Sequence, residues 1–133
     1  MIVRIRENAE LVISLARKHL GRDVGFDRNG VQWLDGYIQR LHNAGTPASD
    51  NLVSTLGAYL GECIRACYGG HWAEVNGMWC VKFDDANAAF PFAKVFKQLE
   101  NGAEDSVLSF FDATPLVFQF PAPGSANTPS NSS

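Results

Sequence analysis

The chain has 133 residues, 46% of them hydrophobic and 19% charged, with a formal net charge of −3. That length suits one core of about 100–150 residues, and the apolar fraction excludes global disorder. A pI near 5.5 excludes a general nucleic-acid binder, which carries a basic excess.

Three scattered cysteines cannot form a fully paired disulfide framework, so the expected compartment is the reducing cytoplasm. No membrane segment is expected. The run Leu11-Val12-Ile13 stops at Ser14, far short of the ~20 residues of a spanning helix. Arg4 and Arg6 are mixed with Glu7 and Glu10, unlike a signal or transit peptide.

Ile5, Ala9, Val12, Ile13, Ala16 and Leu20 follow helical spacing and predict a first amphipathic helix. Glu7 and Glu10 near its start, with Arg17 and Lys18 near its end, suit the helix dipole, and Gly21 is the expected stop. Asp27 predicts the N-cap of a second helix, with Phe26 and Val31 placed to form a hydrophobic staple. Its stripe is Leu34, Ile38 and Leu41, with Trp33 and Tyr37 alongside. Asn43 to Asp50 reads as a loop. A third helix is expected from about Asn51 to Tyr68, with Val53, Leu56, Leu60, Ile64 and Cys67 on one face. Gly57 and Gly61, four apart, predict close approach of a neighbouring element, at a cost of ~1 kcal/mol each against alanine; a ligand-facing backbone is the alternative.

After Gly69-Gly70 the period becomes two. Asn76-Gly77 predicts a type I′ hairpin between His71–Val75 and Met78–Phe83. Its register puts Trp72, Trp79, Val81 and Phe83 on one face, expected to be buried. Asp84 to Asn87 reads as a turn, and Ala88 to Phe92 as a third strand. A helix then holds Ala93, Val95, Phe96 and Leu99, ending at Asn101-Gly102. Glu104 to Phe111 reads as another helix and Leu116 to Phe120 as an extended segment. Residues 121–133, uncharged and rich in Pro, Ser and Asn, are expected to form a flexible tail, leaving 1–120 as one globular domain. The fold class is α+β: three N-terminal helices packed on a small antiparallel β-meander, then short C-terminal helices.

P-loop, nucleophile-elbow, zincin and EF-hand motifs are missing. Cys63, Cys67, His71 and Cys80 are the ligand types of a structural zinc site. Their spacing fits no familiar knuckle, and buried apolar cysteines are the favoured reading; no metal, disulfide or cofactor is expected. Glu62 beside Gly61 and His71 after the helix are the candidates for an acid–base pair in a cleft, with Glu74 and Asp84 behind them. The alternative is a solvated helix carboxylate and a strand-edge histidine facing Lys82. Residues 1–44 carry a net charge of +2 and residues 45–133 a net of −5. Asp84, Asp85, Glu104 and Asp105 are therefore the expected contacts for a basic protein partner.

The stretch Leu56-Gly57-Ala58-Tyr59-Leu60-Gly61-Glu62-Cys63-Ile64, with Tyr68-Gly69-Gly70 and Trp72, resembles a family of small uncharacterised bacterial proteins. So does the run from Phe90 to Gly102, continuing into Glu104-Asp105-Ser106 and Phe110-Phe111. The resemblance spans roughly residues 31–120 and implies a bacterial cytosolic origin, with no activity, cofactor or catalytic residue attached. The expected function is non-enzymatic binding of another protein, as an immunity- or antitoxin-like inhibitor does. A small enzyme or ligand-binding domain with a cleft near Glu62 and His71 is the alternative, and a structural subunit a third.

Overall fold

Helical spacing over the first seventy residues becomes three helices in the computed structural model, which describes residues 2–117. They are α1 (Ile2–Leu20), α2 (Arg28–Asn43) and α3 (Asp50–Tyr68). Asp27 caps α2 by accepting from the Gly30 amide at 2.8 Å, and Ser49 caps α3 through the Leu52 amide at 3.2 Å. Each cap satisfies an amide that has no partner within its helix. The α1 stripe is buried at Ile5, Ala9, Val12 and Ala16, while Leu20 at its end is exposed.

The hairpin forms in the expected register, with β1 (His71–Val75) antiparallel to β2 (Met78–Lys82). Asn76 and Gly77 both take positive φ, 53° and 79°, as a type I′ turn requires. Trp72 and Val81 are paired and buried. Trp79 is only half-buried, short of the burial expected. Its partner is Glu74, one step nearer the turn and past the point where Trp72 meets α3. Cys80, on the opposite face, is buried, so the middle of β2 is covered on both sides.

The third strand is shorter than expected. β3 holds only Ala88–Ala89, pairing with Val81 and Lys82, and completes a sheet of order β1-β2-β3. Pro91 ends it by opening α4 (Pro91–Asn101), because its fixed φ and missing N–H suit a first helical turn. A short 3-10 turn (Gly102–Asp105) leads into α5 (Val107–Val117). Leu116 and Val117 are therefore helical, not extended as expected, and α5 contains Pro115. Residues 118–120 and the segment read as a tail lie outside the described residues.

α3 is the element the others share, touching α1, α2, α4, α5 and β2. Its six consecutive residues Leu56–Gly61 are all buried, so it is covered all round. Two glycines make that possible. A Cβ on Gly57 would collide with the Phe92 ring and come within 3.0 Å of the Phe92 Cα. One on Gly61 would overlap the Trp72 indole and lie 3.2 Å from Pro91 Cγ. The hairpin and the start of α4 are thus seated in two notches on α3.

The C-terminal helices dock on α2 by polar contacts. Asp35 accepts the Ser106 hydroxyl at 2.6 Å and the Leu108 amide at 3.3 Å. Fully buried Gln98 accepts from the Val107 amide at 2.9 Å and donates to the Asp35 carbonyl at 3.3 Å. Arg28 clamps Asp112 through two bonds of 2.8 Å.

Gly61→Ala should lower stability by about 1–3 kcal/mol through overpacking, although alanine is the better helix former. In a Trp72→Leu background the same change should cost little, since the colliding ring is gone. A denaturant-unfolding double-mutant cycle measures this coupling, and additive effects would show that Trp72 does not set the requirement for glycine.

Hydrogen bonding from Arg28 is the main reason the Asp112 carboxyl lies below its ordinary range. A depressed folded value means the contribution is complete above the unfolded pKa of about 3.9 and fades as pH falls through the lower folded value. Asp112→Asn should therefore lower Tm by a few degrees at most at neutral pH, because both partners are solvent-exposed. The gap to the native chain should narrow as pH falls below the ordinary aspartate range and close once the folded-state carboxyl is protonated, as thermal melts across pH would record.

Candidate functional site

Glu62 does not stand open in a cleft. Its carboxylate accepts the Trp72 indole N–H at 2.7 Å and the Arg65 guanidinium at 3.0 Å and 3.2 Å. Its side chain is only 12% exposed, so the charge needs these partners. His71 is exposed at the start of β1, opposite Lys82. Among the described residues, no hydrogen bond or ion pair joins Glu62 to His71. Glu74 is exposed across from Trp79.

The four acidic residues fall into two groups. Asp84 organises the turn before β3, accepting the Ala86 amide at 2.8 Å and the Asn87 side-chain amide at 3.0 Å. The Asn87 side chain, then the Ala86 backbone, hold its carboxyl below the ordinary range. Asp85 is fully exposed, 4.0 Å from Lys82. Glu104 and Asp105 lie in the 3-10 turn after α4, where Asp105 accepts from Asn101 at 2.8 Å. Between the groups runs α4, 11 residues and so about 16 Å long.

The cysteines follow packing. Cys63 is buried in the core and Cys67 packs against its margin. Burial is the first cause raising the thiols of Cys63, Cys67 and Cys80. Among the described residues, no group of three or more His, Cys, Asp or Glu side chains is placed to hold a metal ion.

A sizeable concavity lies elsewhere, among the three N-terminal helices. An apolar groove of about 760 Å³ runs between α1, α2 and the start of α3. One side is α1, where Leu11, Leu15 and Leu20 are 45%, 41% and 48% exposed. The other is Trp33 stacked on Tyr37, with ring centroids 5.4 Å apart. Tyr59 braces Trp33 edge-on at 6.2 Å, and its hydroxyl donates to the Gly25 carbonyl. Burial is the main cause raising that phenol above its ordinary range. The groove wall is therefore tied to the core through Tyr59.

His19 and Tyr37 are the ionisable residues in the lining. Of the hydroxyls there, Thr55 donates to the Asn51 carbonyl at 2.9 Å and Ser49 caps α3. Sequence reading missed this groove because its walls come from three helices and a loop. A signal was present. Leu11 and Leu15, four apart, sit beside the stripe of Ile5, Ala9, Val12 and Ala16, a second apolar flank on a helix that needs only one.

The chain matches no protein-family model, no curated protein and no solved structure. The site is therefore read from its geometry.

With thiols held protonated by burial, Cys67 should be the first cysteine to react with a disulfide reagent at neutral pH. Cys63 should react only on the timescale of unfolding, and all three at similar rates in denaturant. Mass spectrometry of timed labelling checks the order; native labelling of Cys63 as fast as Cys67 would contradict its burial.

Proposed function

We propose that this chain is a non-enzymatic protein-binding module whose seat is the groove between α1, α2 and α3. The observation that carries this reading is the set of half-exposed leucines facing a braced Trp33–Tyr37 wall. Burying one leucine is worth ~1.5–3 kcal/mol, so a surface that leaves three exposed along one trench gains by being covered. For acid–base work the groove lining offers His19 and the Tyr37 phenol, with no carboxylate or thiol among the lining residues to orient or activate them. The carboxylate of Glu62, the other catalytic candidate, is engaged by Trp72 and Arg65. Small size and the lack of catalytic motifs agree with an inhibitor of the immunity or antitoxin type, one member of this functional class.

A photo-crosslinking residue placed at Leu15 should capture one discrete protein in the source cell. The same residue at exposed Met78 should not. Leu11→Ala should weaken the captured complex about tenfold or more, measured on the purified pair. Equal capture from both positions, or affinity unchanged by Leu11→Ala, would remove the groove from consideration.

A further inference from the structure

We infer that the occupant of this groove is a second copy of the same chain, an inference that rests on the binding-module reading above. The charges around the groove balance. Glu7, Glu10 and Asp50 stand against Arg4, Lys18 and Arg40, and all six are exposed. Among the described residues none of the six has an ion-pair partner. Such a rim favours neither an acidic nor a basic partner. It suits a surface that presents the same charges in the opposite order, which is what a two-fold axis supplies.

α1 carries that order. Glu7, Leu11, Leu15 and Lys18 follow i, i+4, i+8 and i+11, one stripe of the helix, acidic at its first end and basic at the other. The midpoint of Leu11 and Leu15 is position 13. That of Glu7 and Lys18 lies halfway between 12 and 13, within about 1 Å of helix rise. A single two-fold axis across α1 at this point therefore sets Leu11 against Leu15 of the second copy and Glu7 level with Lys18 of the second copy, each contact made twice. Arg4 then reaches the carbonyl end of the second copy's α1, which favours a cation, although Arg22 opposes it there. Glu10 sits on the stripe beyond, with Arg17, which Asp23 already holds at 3.0 Å.

The leucines serve twice, as the wall of their own groove and as the ridge that enters the other. Fifteen residues line the groove. With exposed Val3, Glu7, Ser14 and Lys18 the patch comes near the ~20–30 residues that a standard interface uses on each side, so the expected dimer is reversible.

Analytical ultracentrifugation of the full chain across concentration should show a dimer of twice the 14.5 kDa protomer. Leu15→Glu, at a solvent-facing position, should hold the chain monomeric while circular dichroism stays unchanged; Leu11→Glu serves if that variant unfolds. Glu7→Lys alone and Lys18→Glu alone should each weaken the dimer about tenfold or more, because each sets like charges face to face. An equal mixture of these two variants should recover it, since every such contact then joins opposite charges.

A chain that stays monomeric to millimolar concentration would overturn the second copy as occupant. The photo-crosslinker at Leu15 then decides the groove reading: capture of a different protein leaves it standing, and no capture removes both. A dimer unmoved by Leu15→Glu would overturn the groove as its seam. A dimer lost on Leu15→Glu but indifferent to both charge variants would overturn the two-fold register. Binding to anionic vesicles in place of self-association, lost on Leu15→Glu, would replace the second copy with a membrane.

Discussion

The close approach that Gly57 and Gly61 permit on α3 holds the two halves of this chain together. A glycine inside a helix costs about 1 kcal/mol against alanine. Set against that, an aromatic such as Trp72 buries ~150–250 Å², worth about 4–6 kcal/mol at ~25 cal/mol per Å². The exchange favours the notch. It also creates a polar requirement, because a buried indole N–H needs an acceptor. Glu62, the residue after the notch, supplies it at 2.7 Å. Arg65, one turn on, balances the carboxylate, and among the described residues its buried Nε has no hydrogen-bond partner. Gly61, Glu62, Arg65 and Trp72 thus form one device that fastens the hairpin to the helical layer.

This device explains why sequence reading found the right residues and assigned them a different task. Gly57 and Gly61 were legible as sites of close packing, since four-residue spacing puts both on one helix face. Glu62 was legible as special by its place beside Gly61. Its partners were not, because Trp72 reaches it through a chain reversal at Gly69-Gly70 that periodicity does not describe. Local chemistry read cleanly where it decides structure by itself: the Asp27 cap, the Asn76-Gly77 turn and the start and stop of α3. It failed where a neighbour overrides it. Ala88 to Phe92 read as a third strand, but Pro91 opens a helix instead and leaves only Ala88–Ala89 paired. Leu116 and Val117 look extended, yet they continue α5 through Pro115.

Polar burial on the other side of α2 has a comparable logic. Gln98 is wholly inside, and both ends of its amide are used, one by the Val107 N–H and the other by the Asp35 carbonyl. Asp35 in turn receives Ser106 and Leu108, so the Leu108 amide in the first turn of α5 is met by a carboxylate from another helix. Such a network fixes orientation more sharply than apolar contact, because any rotation leaves a buried group unsatisfied. It pins α4 and α5 to one face of α2. The face carrying Trp33 and Tyr37 points elsewhere and is left for α1 to cover.

α1 covers it incompletely, and the reason lies in its small residues. Ala9 and Ala16 are fully buried, which draws α1 in against α3, its main neighbour. Direct contact between α1 and α2 is slight, so the space between them is bounded by side chains at its edges and never filled. Larger residues on the α1 stripe would lift the helix away from α3 and change that gap; smaller ones at Leu11 and Leu15 would leave it without an apolar wall. The groove is therefore a consequence of where the alanines and leucines of α1 fall relative to one another. A helix selected only to close the core would place polar residues at Leu11 and Leu15, and the apolar choice at both positions is what sets this surface apart from the acidic turns around Asp84 and Glu104.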